Sequence, residues 1–308
     1  MAAYIARRLL QAVVVLFGVS VLVFAMVYLL PGDPVLTMLG DQTAVSADVV
    51  VNARHQLGLD RPAPLQYGHF LFHALEGDLG RSWRSNQPVT AIILSQLPAT
   101  LQLTAAGLGL AIVIGVVLGL IAAVRQNSWA DNLSMVLALV GVSMPSFWLG
   151  LLLLFLFSLR LGWVPATGYG GWKRLILPAF TLGLQAAAII ARLVRSSVLE
   201  VLRQEYIVTA RAKGLAERSV LVRHALRNAL IPVVTVVGLQ FGGLLGGAVI
   251  IETVFARQGI GRVAVAAIND KDFPLIQGIV LFAAVVYTLV NLVIDIFYAW
   301  LDPRIRYS

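Results

Sequence analysis

Long runs of apolar residues, separated by shorter polar stretches, dominate the pattern along the chain. A helix that crosses a bilayer needs about 20 mostly apolar residues, and runs of that kind occur six times. They predict membrane-spanning helices at residues 9–30, 97–124, 133–159, 176–194, 231–254 and 276–301. The predicted fold class is therefore an all-α integral membrane protein with six transmembrane helices.

The polar stretches divide the chain unevenly. Residues 1–30 contain the N-terminus and the first span, and residues 96–308 contain the other five spans with a long polar loop at 195–230. Residues 31–95 are too many for a simple turn, so we predict a small helical module there. Its two predicted helices are residues 46–58, which begin at a serine and end at a glycine, and the amphipathic stretch "PLQYGHFLFHALEGDLG". The first span lacks a cleavage pattern of small residues, so we expect it to stay uncleaved.

Composition and charge give the chain an orientation. Hydrophobic residues make up 59% of the 308 residues and the mean hydropathy is +0.87, well outside the usual range of soluble domains. Of the 23 lysines and arginines, 13 fall on the side that holds both termini and the 195–230 loop. Because basic residues collect in cytoplasmic segments, we predict cytoplasmic termini and an extracytoplasmic 31–95 module. The same placement at membrane ends argues against nucleic-acid binding, and the absence of cysteine excludes disulfides and thiolate metal sites.

The 195–230 loop combines charge with a regular apolar pattern. Good helix formers run up to Gly214, a plausible helix stop, and a second short helical run, "AERSVLVRHALRNAL", leads to the fifth span. One interpretation is a solvated basic segment beside the membrane surface. The other is a docking surface for a protein partner, because apolar residues are interleaved with the charges.

This loop resembles the "EAA" loop of the permease subunits of ABC importers. That motif has Glu-Ala-Ala, then three residues, then Gly, and a Leu twelve residues later; here Ala210, Gly214 and Leu226 match it. A Val-Thr pair replaces Glu-Ala, and an arginine follows Leu226 where many members have proline; both departures are usual in the peptide-importer branch. The resemblance extends nearly end to end, through "ARRLL", "YLLPGDP", "QLGLDRP", "GDLGRS", "LPATLQLT", "GVSMPSFWLG", "LILPAFTLG", "GGAVIIETVF", "GIGR" and "NLVIDIFYAWLDPRIRY".

The chain resembles the first, B-type, permease of dipeptide and glutathione importers. That resemblance implies a type I importer fold, a homologous second permease, two ATP-binding subunits and an extracytoplasmic solute-binding protein. It also implies that the loop forms a coupling helix against an ATP-binding subunit. The residues assigned to this contact are Ala210, Arg211, Lys213, Gly214, Leu215 and Leu226. No cofactor is expected in this chain, since ATP and Mg²⁺ would be held by the partner subunits.

Other function classes leave signals that this sequence lacks. No Gly-Lys dipeptide occurs, so nothing matches the phosphate-binding loop G-x-x-x-x-G-K-[ST], and we predict that the chain is not an enzyme. A secondary transporter would favour ionisable residues near the middle of the membrane. The only acidic residues in the predicted spans are Glu252 and Asp295, both towards span ends. Glu252 is expected near the outer mouth, where a structural role and an outer-gate role are both open.

Small residues and histidines leave further alternatives. Gly238, Gly242, Gly243, Gly246 and Gly247 line the fifth span at spacings that let helices approach closely, either within the chain or against the partner permease. His69 and His73 are four residues apart on a predicted helix, but two ligands are weak support, and we predict no metal site. Short peptides are the favoured cargo; nickel or a nickel complex is the alternative, because several motifs also resemble nickel importers.

Overall fold

The computed structural model describes residues 2–29, 51, 54 and 60–301, and over these ranges the protein is almost entirely helical. The predicted helix at 46–58 therefore lies outside the described residues, apart from two isolated positions. The helices are α1 Ala2–Leu29, α2 Ala63–Leu75, α3 Val89–Val124, α4 Trp129–Ser143, α5 Ser146–Leu153, α6 Lys173–Leu202, α7 Glu205–Ala212, α8 Glu217–Ser219, α9 Arg227–Val254, α10 Ile260–Asn269 and α11 Phe273–Leu301. Two π-helical segments continue α5 and precede α9, at Leu154–Arg160 and Val220–Leu226.

Five helical stretches in the described chain are long and apolar enough to cross a membrane. They are Ile5–Leu29, Val89–Val124, Lys173–Leu202, Glu217–Val254 and Phe273–Ile296. A sixth crossing requires α4 and α5 with its π-helical extension to be counted as one span, although the two parts are bent by 107°. The protein is thus an all-helical membrane protein with five to six candidate spans, and the predicted third span is not one continuous helix.

The break between α4 and α5 has a local cause. Met144 is extended, with φ −79° and ψ 131°, and Pro145 follows it. A residue before proline avoids the helical region, and proline has no N–H to continue the hydrogen-bond ladder. The backbone carbonyl of Met144 accepts a hydrogen bond from Gln185 Nε2 of α6 at 3.1 Å. A side chain of α6 thereby satisfies a carbonyl exposed by the break.

Backbone contacts divide the chain into two compact units, one within residues 1–98 and 263–308 and the other comprising residues 99–262. In the first unit α1 packs along α11, and Gln277 Nε2 donates to the carbonyl of Val23 at 3.0 Å. The buried carboxylate of Asp272 caps α11 and accepts a 2.5 Å hydrogen bond from Ser82 Oγ. These contacts fix the segments that precede α3 and α11.

The second unit is organised around α6, which packs against α4, α5 and α9. Most of its buried apolar residues belong to one cluster in which alanines are frequent. α3 approaches α6 closely through Gly115 and Gly119: a Cβ added at Gly115 would lie 2.7 Å from the Ile190 side chain, and one at Gly119 2.7 Å from Val194. Small residues on both helices make this close packing possible.

Candidate functional site

The predicted coupling loop is a compact helical turn at one end of α6. α7 ends at Ala212 with Lys213 as its C-cap, and Gly214 then adopts a left-handed conformation with φ +76°. The N–H of Gly214 donates to the carbonyl of Arg211 at 2.9 Å. Apart from its chain neighbours, no described residue has an atom within 4 Å of the position that a Cβ at Gly214 would occupy, so the turn requires the backbone conformation of Gly214 rather than its small size.

A small apolar cluster attaches this turn to the rest of the second unit. It consists of Ile207 and Ala210 from α7 with Val220 and Ala225 from the following π-helical segment, and Val201 and Leu202 of α6 pack against it. Burial of these side chains stabilises the packing of the turn against α6. α7 therefore packs against the end of α6 through buried side chains.

The opposite side of the turn is exposed and partly apolar. Leu215 is 42% exposed, and the side chains of Tyr206, Val208 and Val222 are also exposed. Arg211 donates two hydrogen bonds to the Glu217 carboxylate, at 3.0 and 2.5 Å. These bonds raise the pKa of the Arg211 guanidinium. The surface thus combines exposed apolar groups with a charge pair that fixes the orientation of Arg211.

The six residues assigned to coupling do not form one patch. Arg211, Lys213, Gly214 and Leu215 are exposed at the turn, whereas Ala210 is buried beneath it. Leu226 is half-buried and packs against the main apolar cluster of the second unit. Ala210 and Leu226 are thus placed to support the turn, and the exposed residues are placed to contact a partner.

An ion pair between α4 and α6 was not predicted from the sequence. Asp131, in the first turn of α4, is buried and accepts hydrogen bonds from Arg195 of α6 at 2.6 and 2.8 Å. The N–H of Asn127 also donates to this carboxylate, at 3.0 Å. No sequence signal pointed to the pair, because both residues look like ordinary cytoplasmic charges. The pair joins α4 to α6 shortly before α6 leads into the turn.

Glu252 lies at the other end of α9 and is fully buried. Its carboxylate accepts hydrogen bonds from Thr100 Oγ1 at 2.6 Å and from the backbone N–H groups of Gly261 and Arg262 at 2.8 and 3.2 Å. A Cβ at Gly259 would overlap the same carboxyl group. Glu252 therefore fixes the segment that follows α9 onto α3, which is the geometry of a structural residue and equally of a closed gate.

Arg257, which the sequence did not single out, lies in the segment that Glu252 fixes. It is 1% exposed. Its Nη2 atom donates to Gln102 Oε1 at 2.7 Å, and its guanidinium carbon lies 4.9 Å from the centre of the Tyr169 ring. Burial lowers the pKa of Arg257. A buried arginine needs several acceptors, so this one is either part of a network or part of a binding site.

The glycines of the fifth span differ in their surroundings. Gly242 is buried, and a Cβ at Gly247 would lie 3.1 Å from Leu182. In the part of the chain that the structure describes, no atom outside the helix's own backbone lies within 4 Å of the corresponding position at Gly243 or Gly246. Within this chain, Gly115 and Gly119 of α3 make closer helix contacts than this predicted stripe. A partner-permease role for the stripe stays a prediction.

The histidine pair is part of a hydrogen-bonded surface. The rings of His69 and His73 stack with centroids 6.1 Å apart, and Arg61 Nη1 lies 2.9 Å from His69 Nε2. His73 also lies 3.6 Å from the Glu76 carboxylate. Over the part of the chain that the structure describes, no group of three or more His, Cys, Asp or Glu residues has the geometry to hold a metal ion.

Solved structures share the fold at low sequence identity. The chain aligns with the MetNI methionine ABC transporter in an inward-facing conformation with a TM-score of 0.58 and 18% identity, covering 68% of this chain and 96% of that one. It aligns with an amino acid ABC transporter with a TM-score of 0.55 and 16% identity, covering 68% and 93%. The protein therefore has the ABC importer permease fold.

Relatives found by sequence have a much higher identity to this chain than these solved structures. The chain is 46% identical over 305 residues to the glutathione transport system permease protein GsiC of Escherichia coli strain K12 and to that of Salmonella typhimurium strain LT2, covering 99% of this chain and of each relative. The profile of the family described as "Binding-protein-dependent transport system inner membrane component" matches residues 115–307. The profile of the corresponding N-terminal membrane component matches residues 1–104.

These matches decide several predictions made from the sequence. The chain is a multi-pass inner-membrane protein and is not itself an ATPase, since ATP is handled by partner ATPases. An importer permease also implies a binding-protein partner, which excludes the secondary-transporter alternative. The chain belongs to the inner-membrane permeases of binding-protein-dependent ABC importers, in their peptide and glutathione family.

Proposed function

We propose that this permease imports short peptides across the inner membrane and is driven by ATPase subunits that dock on the turn around Gly214. The observation that carries the cargo proposal is the 46% identity, over 99% of both chains, to permeases named for glutathione transport. Glutathione is itself a tripeptide. Nickel or a nickel complex is the second candidate, on motif resemblance alone.

The coupling proposal rests on the geometry of the turn. An element that passes on a partner's movement must be firmly attached to the spans and must offer a surface to the partner. The cluster around Ile207 supplies the attachment to α6, and the exposed side of the turn supplies Leu215 and the Arg211–Glu217 pair. Apolar groups beside fixed charges suit an orientation-specific protein contact.

The assembly follows from this assignment. A homologous second permease would complete the translocation pathway, two ATPases would bind from the cytoplasm, and both termini would lie on that side. A solute-binding protein would dock on the opposite side, at the 31–95 module and the outer loops. Binding of ATP would open the spans outward as in a type I importer, so that cargo passes from the binding protein into the cavity between the permeases.

The cargo is tested by uptake into proteoliposomes that contain the complete importer. The binding protein is added on the side of the membrane opposite the cytoplasmic face. We expect ATP-dependent accumulation of labelled dialanine or glutathione. Nickel accumulation without peptide uptake would contradict the peptide proposal while leaving the importer architecture in place.

The coupling site is tested in the same vesicles with Gly214→Asp. The substitution adds a Cβ at φ +76° and a charge on the proposed contact surface, and we expect uptake to fall about tenfold, within the usual range of coupling energies. The matched control is Gly162→Asp, because Gly162 also has a positive φ, +65°, and a Cβ there would meet no described residue other than its chain neighbours within 4 Å. Insertion of both variants should be normal. Unchanged uptake in the Gly214 variant would contradict the proposed coupling site.

A further inference from the structure

The strongest unexplained feature of the second unit is the side chain of Arg257. It follows α9, whose 28 residues span about 42 Å at the usual helical rise, and the turn around Gly214 lies just before the other end of that helix. If the turn is cytoplasmic, Arg257 lies at the outer end of the unit. Cargo delivered by a binding protein arrives on that side.

Two of the hydrogen-bonding atoms of Arg257 lack partners. Nη2 donates to Gln102, but Nε and Nη1 are buried without an acceptor among the residues that the structure describes. An arginine remains charged inside a protein, and each unmade hydrogen bond of a buried charged group is costly. The arrangement is therefore incomplete as a purely structural network.

The nearest acidic candidate does not complete it. The Glu252 carboxylate attracts the Arg257 charge, yet its oxygens are occupied by Thr100 Oγ1 and by two backbone N–H groups. No hydrogen bond or ion pair joins Glu252 to Arg257 among the contacts of the described residues. Glu252 thus balances part of the charge without supplying the missing acceptor.

Tyr169 covers the guanidinium. Its ring stacks on Arg257 at 4.9 Å, while the residue itself is 40% exposed, so the ring lies between a buried cation and the surface. Tyr169 is flanked by Gly168, Gly170 and Gly171, whose φ angles are +100°, +91° and +73°. Such a glycine-rich loop has access to conformations that other sequences avoid, and a change in this loop would uncover Arg257.

We propose that Arg257 is a carboxylate-binding residue at the outer end of the permease, covered by Tyr169 when empty, and that its ligand is the C-terminal carboxylate of peptide cargo. A guanidinium with free N–H groups is the side chain best suited to bind a carboxylate. Gln102 holds Nη2 and thereby orients the guanidinium. The inference rests on the proposed import of peptides and adds a residue that recognises them.

The test uses the absence of cysteine from the chain. Tyr169→Cys places the chain's one thiol beside Arg257, and Trp172→Cys places it at an exposed position nearby as a control. The complete importer is reconstituted with its binding protein and ATP. It is treated with thiosulfonate reagents that carry either a sulfonate or a quaternary ammonium group, and modification of this chain is followed by mass spectrometry.

We expect the thiol introduced by Tyr169→Cys to react about tenfold faster with the anionic reagent than with the cationic one, because a buried positive charge lies next to it. Dialanine should slow this reaction, and dialanine amide, which lacks the carboxylate, should not. Adding Arg257→Gln should remove both effects. Adding Arg174→Gln should leave both effects in place, although Arg174 Nη1 donates a hydrogen bond to the backbone carbonyl of Tyr169.

Equal slowing by dialanine and its amide, or slowing that survives Arg257→Gln, would overturn the inference. If the cargo-free binding protein alone slows modification of the thiol, the carboxylate belongs to that protein. This result would overturn the assignment of the carboxylate to the cargo. Uptake of dialanine by the unmodified importer is measured separately. Uptake without protection at Tyr169→Cys refutes the carboxylate site alone, whereas absence of uptake refutes the proposed function.

Discussion

At the scale of single residues, the buried side chains of Glu252 and Arg257 are held by hydrogen-bond partners that are distant in the sequence. Gly214 was identified from its position between two helical runs, and its φ of +76° agrees with a helix stop. Glu252 was noticed because a carboxylate in an apolar run is rare. Its partner Thr100 lies 152 positions away, and Arg257 reaches Gln102 across 155. A single sequence contains no local pattern that joins such distant residues.

Glu252 gives the first prediction at this scale. Glu252→Gln keeps the shape of the side chain but directs an amide group at donors that now share a carboxylate, so we expect a loss of about 2–4 kcal/mol of stability. Thermal unfolding of the purified chain in detergent measures it. Glu200→Gln, at an exposed position, is the control and should unfold like the wild type. An unchanged unfolding temperature for Glu252→Gln would show that the carboxylate is not structurally required.

At the scale of helices, the apolar runs predicted where spans lie but not their continuity. Prolines occur inside α3, α6 and α9, at Pro98, Pro178 and Pro232, and those helices continue. Pro145 instead separates α4 from α5 with a bend of 107°. All four prolines stand in similarly apolar surroundings, so the outcome depends on tertiary contacts such as that of Gln185, which no local pattern contains.

Packing between α3 and α6 gives a prediction at this scale. Gly115→Ala should destabilise the permease by about 1–3 kcal/mol, because the new methyl group would lie 2.7 Å from the side chain of Ile190. Gly109→Ala is a matched control on the same helix, since among the described residues no atom outside the helix's own backbone lies within 4 Å of its Cβ position. Unfolding temperatures of the two variants should differ clearly. Equal temperatures would mean that α3 and α6 separate without cost.

At the scale of the whole molecule, hydropathy and the placement of basic residues determine how the chain lies in a membrane. Composition predicted a membrane protein, and the family membership confirms a multi-pass inner-membrane location. Which side each loop occupies stays a prediction from the positive-inside rule. The contact of the fifth-span glycines with a second permease also stays a prediction, because this chain would supply only half of that contact.

Sidedness is tested within the second unit. In the cysteine-free chain, Leu215→Cys should react with a membrane-impermeant thiol reagent only from the cytoplasmic side of intact vesicles, and Trp172→Cys only from the other side. The two positions are exposed, so accessibility within the folded chain does not decide the result. Labelling of both positions from the same side of the membrane would contradict the proposed topology.

The hydrogen bond from Gln185 to the carbonyl of Met144 changes how sequence variants of this permease should be judged. On any hydropathy scale Gln185→Leu raises the hydrophobicity of a membrane helix, so the variant is scored as favourable. The variant would instead leave a backbone oxygen without a donor at a break between two helices, at a cost of about 1–3 kcal/mol. We expect less folded protein and a lower unfolding temperature for Gln185→Leu than for the wild type. A screen that ranks variants by hydrophobicity would therefore pass a damaging change as benign.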